Sequence, residues 1–117
     1  MTTVDTQEAT RLWESWARAG RHQARALARQ GGLFDSSLKD ARATTYEQAA
    51  TLLRANPDPA EAARLMMRIA AETHVRTPPL AGFDTAALRY TVARTWQRCA
   101  LMLDPSLAEV QPLWTAR

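Results

Sequence analysis

The feature that most constrains this chain is the periodicity of residues 6–30. Ala9, Leu12, Trp13, Trp16, Ala17, Gly20, Ala24, Leu27 and Ala28 recur at steps of three and four. That is the spacing of one face of an α-helix. Arg11, Arg18, Arg21, Arg25 and Arg29 fall on the other side, with His22 among them. The spacing predicts a single long amphipathic helix. Asp5 is placed to cap it, with Glu8 three residues on. Gly31-Gly32 ends it, because glycine adopts the left-handed conformation that closes a helix. Gly20 lies mid-helix on the apolar face, where close packing against a neighbour is expected rather than a hinge.

The rest of the chain reads the same way. Thr44-Thr45-Tyr46-Glu47 offers a second capping pattern, so residues 36–55 read as one helix or as two broken near Thr44, with Leu33-Phe34-Asp35 as the connection before them. Asn56-Pro57-Asp58-Pro59 is the clearest boundary, since Pro57 stops the helix before it and Asp58 caps the next one. A third helix then runs to about Val75, with Ala62, Leu65, Met66, Ile69, Ala70 and Thr73 on its apolar face. Residues 77–83 form a loop, pinned by Leu80 and Phe83. Asp84 caps a fourth helix reaching about Leu103, whose inner face is Leu88, Val92, Trp96, Cys99, Ala100 and Leu103. Asp104-Pro105 starts a short helix over 105–111, after which Leu113-Trp114 docks. No stretch alternates in the manner of a strand. The expected fold is all-α: one domain spanning 1–117, a small bundle of four main helices plus short ones. A chain of 117 residues with 46% hydrophobic content can bury a core without disulfide or metal.

What the chain lacks narrows its function. It has one cysteine, Cys99, and so no intramolecular disulfide or multi-cysteine zinc site. A reducing, cytoplasmic setting is expected. Residues 1–5 show no basic region leading into an apolar run, so no secretion signal is expected, and no apolar run is long enough to span a membrane. There is no phosphate-binding glycine loop, no Cys-x-x-Cys and no His-Glu-x-x-His. His22 and His74 read as surface or helix-end residues, and Cys99 as a buried thiol. Carboxylates sit at helix starts or in helix-surface pairs such as Glu61–Arg64 and Arg68–Glu72. The expectation is a protein that is not an enzyme, with no catalytic residue, cofactor or metal.

What remains is charge. Fourteen of the fifteen basic residues are arginine, Lys39 being the exception. A GC-rich genome would produce that ratio along with the abundant alanine, but it would not place the arginines. Between Ser15 and Phe34 there is no acidic residue. Arg18, Arg21, Arg25 and Arg29 therefore have no partner along the helix, and form a line about 16 Å long. Such a line is tolerated as a solvated or salt-bridging face, or used to track a phosphate backbone. Arg94 and Arg98 are a candidate second patch. Trp13 and Trp16 pack the core or anchor a partner interface, where Trp and Arg are enriched.

With Arg18 to Arg29 lining a long helix in a short, basic, all-α chain, the profile resembles the small helical subunit of multisubunit RNA-guided, CRISPR-type effector complexes of antiviral defence. The resemblance covers the whole chain and has no diagnostic motif. It implies a non-catalytic subunit that contacts RNA or single-stranded DNA backbone and packs against other subunits or copies of itself. The residues also allow a protein-interaction module whose arginines pair with an acidic partner, or a helical protein lying on an anionic surface.

Overall fold

The computed structural model describes residues 5–75 and 83–109. Four α-helices follow one another: α1 (Thr6–Arg29), α2 (Leu33–Ala55), α3 (Pro59–Val75) and α4 (Phe83–Leu103), then a short 3₁₀ turn at Pro105–Glu109. The all-α bundle with a long first helix is as expected. Asp5 caps α1, its carboxylate accepting from the backbone N–H of Gln7 at 2.9 Å and Glu8 at 3.2 Å. At the other end the Gly32 N–H donates to the Leu27 carbonyl at 2.8 Å and the Gly31 N–H to Ala28 at 3.1 Å. This is a Schellman closure, and it holds Gly31 at φ +84°, where a β-carbon would be strained.

Because the turn is so short, α1 and α2 form an antiparallel hairpin. Helix α2 starts at Leu33 with Gly32 at its N-cap and no side-chain cap. It therefore absorbs Leu33-Phe34-Asp35, expected as a connection. It also runs unbroken through Thr44, which settles the one-or-two question for this segment. The second capping pattern is not used as a cap, because Thr44 and Glu47 both accept from Arg21 of α1. Thr45 turns its hydroxyl back onto the Ala41 carbonyl at 2.9 Å. Further on, Asp58 and Asp104 do act at helix starts, accepting from the N–H of Ala60 at 3.1 Å and of Ser106 at 3.2 Å. Helix α4 begins at Phe83, slightly earlier than a cap at Asp84 implies. The expectations for Leu80, for residues 110–111 and for Leu113-Trp114 lie outside the described residues.

Helix α3 packs along α4 as α1 packs along α2, and α4 joins the two hairpins by lying against α2. The core between them is built largely of small residues. Nine of its sixteen buried members are alanine, with Trp13, Tyr46, Leu53, Met66 and Trp96 among the larger ones. Small side chains bring helix axes close, and a few large rings fill what is left. Gly20 sits on the face of α1 that meets α2. A β-carbon there would lie 3.4 Å from Ala43 Cβ and 3.6 Å from the Lys39 carbonyl oxygen. That is ordinary contact, so Gly20→Ala is expected to be neutral or to stabilise by up to about 1 kcal/mol through helix propensity. Gly20→Leu should push the helices apart and cost about 1–3 kcal/mol. Urea unfolding of the two variants checks the opposite signs.

Candidate functional site

The two flanks of the α1–α2 contact differ in chemistry. On one flank the Arg21 guanidinium is held by acids. It donates to Asp40 Oδ1 at 2.7 Å through Nη1, to Glu47 Oε1 at 2.9 Å through Nε, and to the Thr44 hydroxyl at 3.2 Å. The hydrogen bond to Glu47, against some desolvation and with Asp40 assisting, raises the Arg21 pKa above its ordinary value. Arg21 therefore leaves the expected line of four. Its partners come from another helix, where a search for acids along α1 does not find them. Arg18, Arg25 and Arg29 remain on the outer face of α1, exposed, with Arg11 and His22 also exposed on the same helix. Among the described residues no carboxylate pairs with Arg11, Arg18, Arg25 or Arg29. The remaining interhelical pair joins Arg54 to Glu14.

On the other flank lies a basic cleft that involves three helices. A cavity of about 690 Å³ opens between α2 and α4, lined by Arg42, Tyr46, Tyr90, Arg94, Gln97 and Arg98 among others. A neighbouring cavity of about 220 Å³ shares Arg42, Tyr46 and Arg98 and extends to Trp16, Gln23 and Lys39. Among the described residues four cations line the two, and no Asp or Glu does. The arginines are positioned without being neutralised. Arg98 lies over the Trp16 ring, 4.9 Å from its centroid. Trp16 in turn meets Tyr46 edge-on, with centroids 5.3 Å apart and planes at 62°. Arg94 stands 6.0 Å from the Tyr90 centroid and donates to Gln97 Oε1 at 3.3 Å. A ring face orients a guanidinium and leaves its charge unbalanced, whereas the carboxylates around Arg21 balance it with opposite charge.

Of the two roles expected of the tryptophans, this placement gives them packing within the chain. Trp13 is fully buried, with its indole N–H directed at Met102 Sδ of α4 at 3.4 Å. It has no surface left for a partner. Trp16 is half-buried, and its ring serves Tyr46 and Arg98 of its own chain. Arg94 and Arg98 do form a patch, and the structure adds Lys39, Arg42, Tyr46 and Tyr90 to it. Nothing local in sequence links residue 42 to residue 98. The available signal was the i, i+4, i+8 repeat of Tyr90, Arg94 and Arg98 on one helix face.

Titratable chemistry elsewhere is subdued. Burial pushes the Cys99 thiol up to about 12, against a smaller opposite pull from Arg98. The thiol therefore stays protonated and poorly nucleophilic near neutral pH. Burial likewise raises the Tyr46 phenol, with Arg98 and Arg42 pulling it down. A group whose pKa is raised in the native state supports folding below its unfolded value and loses that support as pH rises. Stability should therefore fall from about pH 9 upward, by at most about 1.4 kcal/mol per unit for Cys99. Urea unfolding across this range should show the decline, and Cys99→Ala should flatten it.

Among the described residues, no cluster of three His, Cys, Asp or Glu side chains is arranged to hold a metal ion. No helix there is long and apolar enough to cross a membrane. Compared with family models, with curated proteins and with solved structures, the chain matches none.

Proposed function

We propose that the protein is a non-catalytic accessory subunit that binds nucleic-acid backbone within a nucleoprotein assembly. The observation that carries this reading is the basic cleft, lined by Lys39, Arg42, Arg94 and Arg98 with no carboxylate among the described residues of its lining. Like charges brought together repel, so such a cluster suits a negatively charged ligand. Arginine forks suit phosphate oxygens in particular. The outer face of α1, through Arg18, Arg25 and Arg29, supplies a second surface of the same sign, suited to positioning a backbone without reading its bases. The small helical subunit of an RNA-guided effector complex is one assembly in which such a part would work.

A protein partner is the competing reading. Leu33 and Phe34, exposed at the α1–α2 turn, are the apolar residues it would cover. Its acidic groups would pair with the same arginines.

Fluorescence anisotropy with labelled single-stranded RNA, single-stranded DNA and duplex, over a series of salt concentrations, separates the two. Backbone binding predicts affinity that falls steeply and linearly on a log–log salt plot. Absence of binding to all three at low salt would overturn it. Light scattering on the same preparation reads self-association.

A further inference from the structure

We infer that the α2–α4 cleft seats single-stranded nucleic acid, with Tyr90 as a stacking surface for a base and Arg42, Arg94 and Arg98 as contacts to the adjoining phosphates. The inference rests on the backbone-binding reading and adds to it the form of the ligand and the way it is held.

Three observations support it. The first is the exposed ring. Tyr90 is 49% exposed, in contrast to Tyr46 at 4%. It stands in the lining of a concave, basic space and not on an isolated convex surface. An aromatic ring beside arginines in a groove is the usual means of holding a strand without sequence preference, because every base has a π-face. The second is the register on α4. Tyr90, Arg94 and Arg98 follow one another at one-turn intervals, about 6 Å apart along the axis. A base resting on Tyr90 would place its own phosphate beside Arg94 and the next beside Arg98, while Arg42 approaches from α2. The third is shape. A cavity of about 690 Å³ is of the size that takes a compact ligand group. A duplex keeps its bases stacked inside and shows phosphates outside, so it offers no free base face to Tyr90. An unpaired strand does.

Arg98 is held by Trp16 at 4.9 Å, and Arg94 by Tyr90 and Gln97. These cations are partly ordered before any ligand arrives, which lowers the entropic cost of binding.

The test uses the full chain and four probes: a labelled single strand of about ten nucleotides, the same backbone with abasic sites, the matching duplex, and inorganic polyphosphate as competitor. The ordinary strand is expected to bind at least about fivefold more tightly than the abasic strand. Tyr90→Ala should bring the ordinary strand down to the level of the abasic strand in the same variant, so that the difference between the two disappears. Tyr90→Phe should retain the difference. Arg42→Gln and Arg98→Gln should weaken both strands together. Circular dichroism establishes that each variant is folded, which is expected for an exposed residue such as Tyr90. If ordinary and abasic strands bind alike, or if Tyr90→Ala changes nothing, the stacking seat is overturned while backbone binding stands. Duplex binding as tight as the single strand, or polyphosphate displacing all probes equally, would also overturn it. If no nucleic acid binds at low salt, both readings fall.

Discussion

Replacing Trp13 by alanine is expected to lower the unfolding free energy by about 3–5 kcal/mol. The ring is fully buried in a core made mostly of alanines. Alanines have no spare length to collapse into the space a lost indole would leave, so the cavity would persist and the cost should lie toward the upper end. The change would also remove the contact from the indole N–H to Met102 Sδ, which ties α1 to α4. A domain of this size has only about 5–15 kcal/mol to lose. Urea titration followed by circular dichroism should show the midpoint shifted far down with its slope unchanged. A loss under about 1 kcal/mol would mean that α1 does not seat in the core as described. Trp16→Ala should cost less. It removes an edge-on aromatic pair of about 0.5–1.5 kcal/mol together with some burial, and it frees Arg98 from its ring.

The second large effect concerns charge. Changing Arg18, Arg25 and Arg29 together to glutamine is expected to weaken nucleic-acid binding on the order of a hundredfold at about 50 mM salt. It should also reduce the salt slope by about 2, since each lost phosphate contact on a single strand contributes about 0.7. All three side chains are exposed, so the triple variant should fold as well as the parent. Arg21→Gln provides the contrast. Its charge is already met by Asp40 and Glu47. It should therefore bind nearly as the parent does and lose at most about 1 kcal/mol per broken pair of stability. The slope from a salt titration of each variant reads the difference directly. If Arg21→Gln reduced affinity as much as the triple change, the distinction between a neutralised and an available arginine would fail.

The helices themselves were legible from residue order. Periodicity placed α1, α3 and α4, the Asp caps at residues 5 and 58 marked starts, and Gly31-Gly32 marked a stop. All of these rest on interactions within a few residues, and local sequence contains them. Misplaced boundaries arose where a residue type had two uses. Thr44 and Glu47 match a cap pattern, but across the hairpin they serve Arg21 instead. Leu33-Phe34-Asp35 looked like a connection because nothing in those residues shows that a two-glycine turn is sufficient. The candidate site was half legible. Arg94 and Arg98 stood out on α4, whereas Arg42, Lys39, Tyr46 and Tyr90 did not, because each alone is an ordinary helix residue.

By itself, then, the sequence determined that this chain is helical throughout its periodic stretches, that α1 is long with an arginine face, and that residues 15–34 contain no acid to balance it. Only the tertiary structure decided which arginines have their charge balanced by a carboxylate. Asp40 and Glu47 lie 19 and 26 residues from Arg21, and the hairpin brings them to it. Trp16 lies on α1 and Arg98 on α4, and the packing of the bundle sets one over the other. Helix formation depends on neighbours within one or two turns, so it is written locally. The balance of charge at a surface depends on every group within a few ångströms, whatever its place in the chain, and folding alone assembles that set.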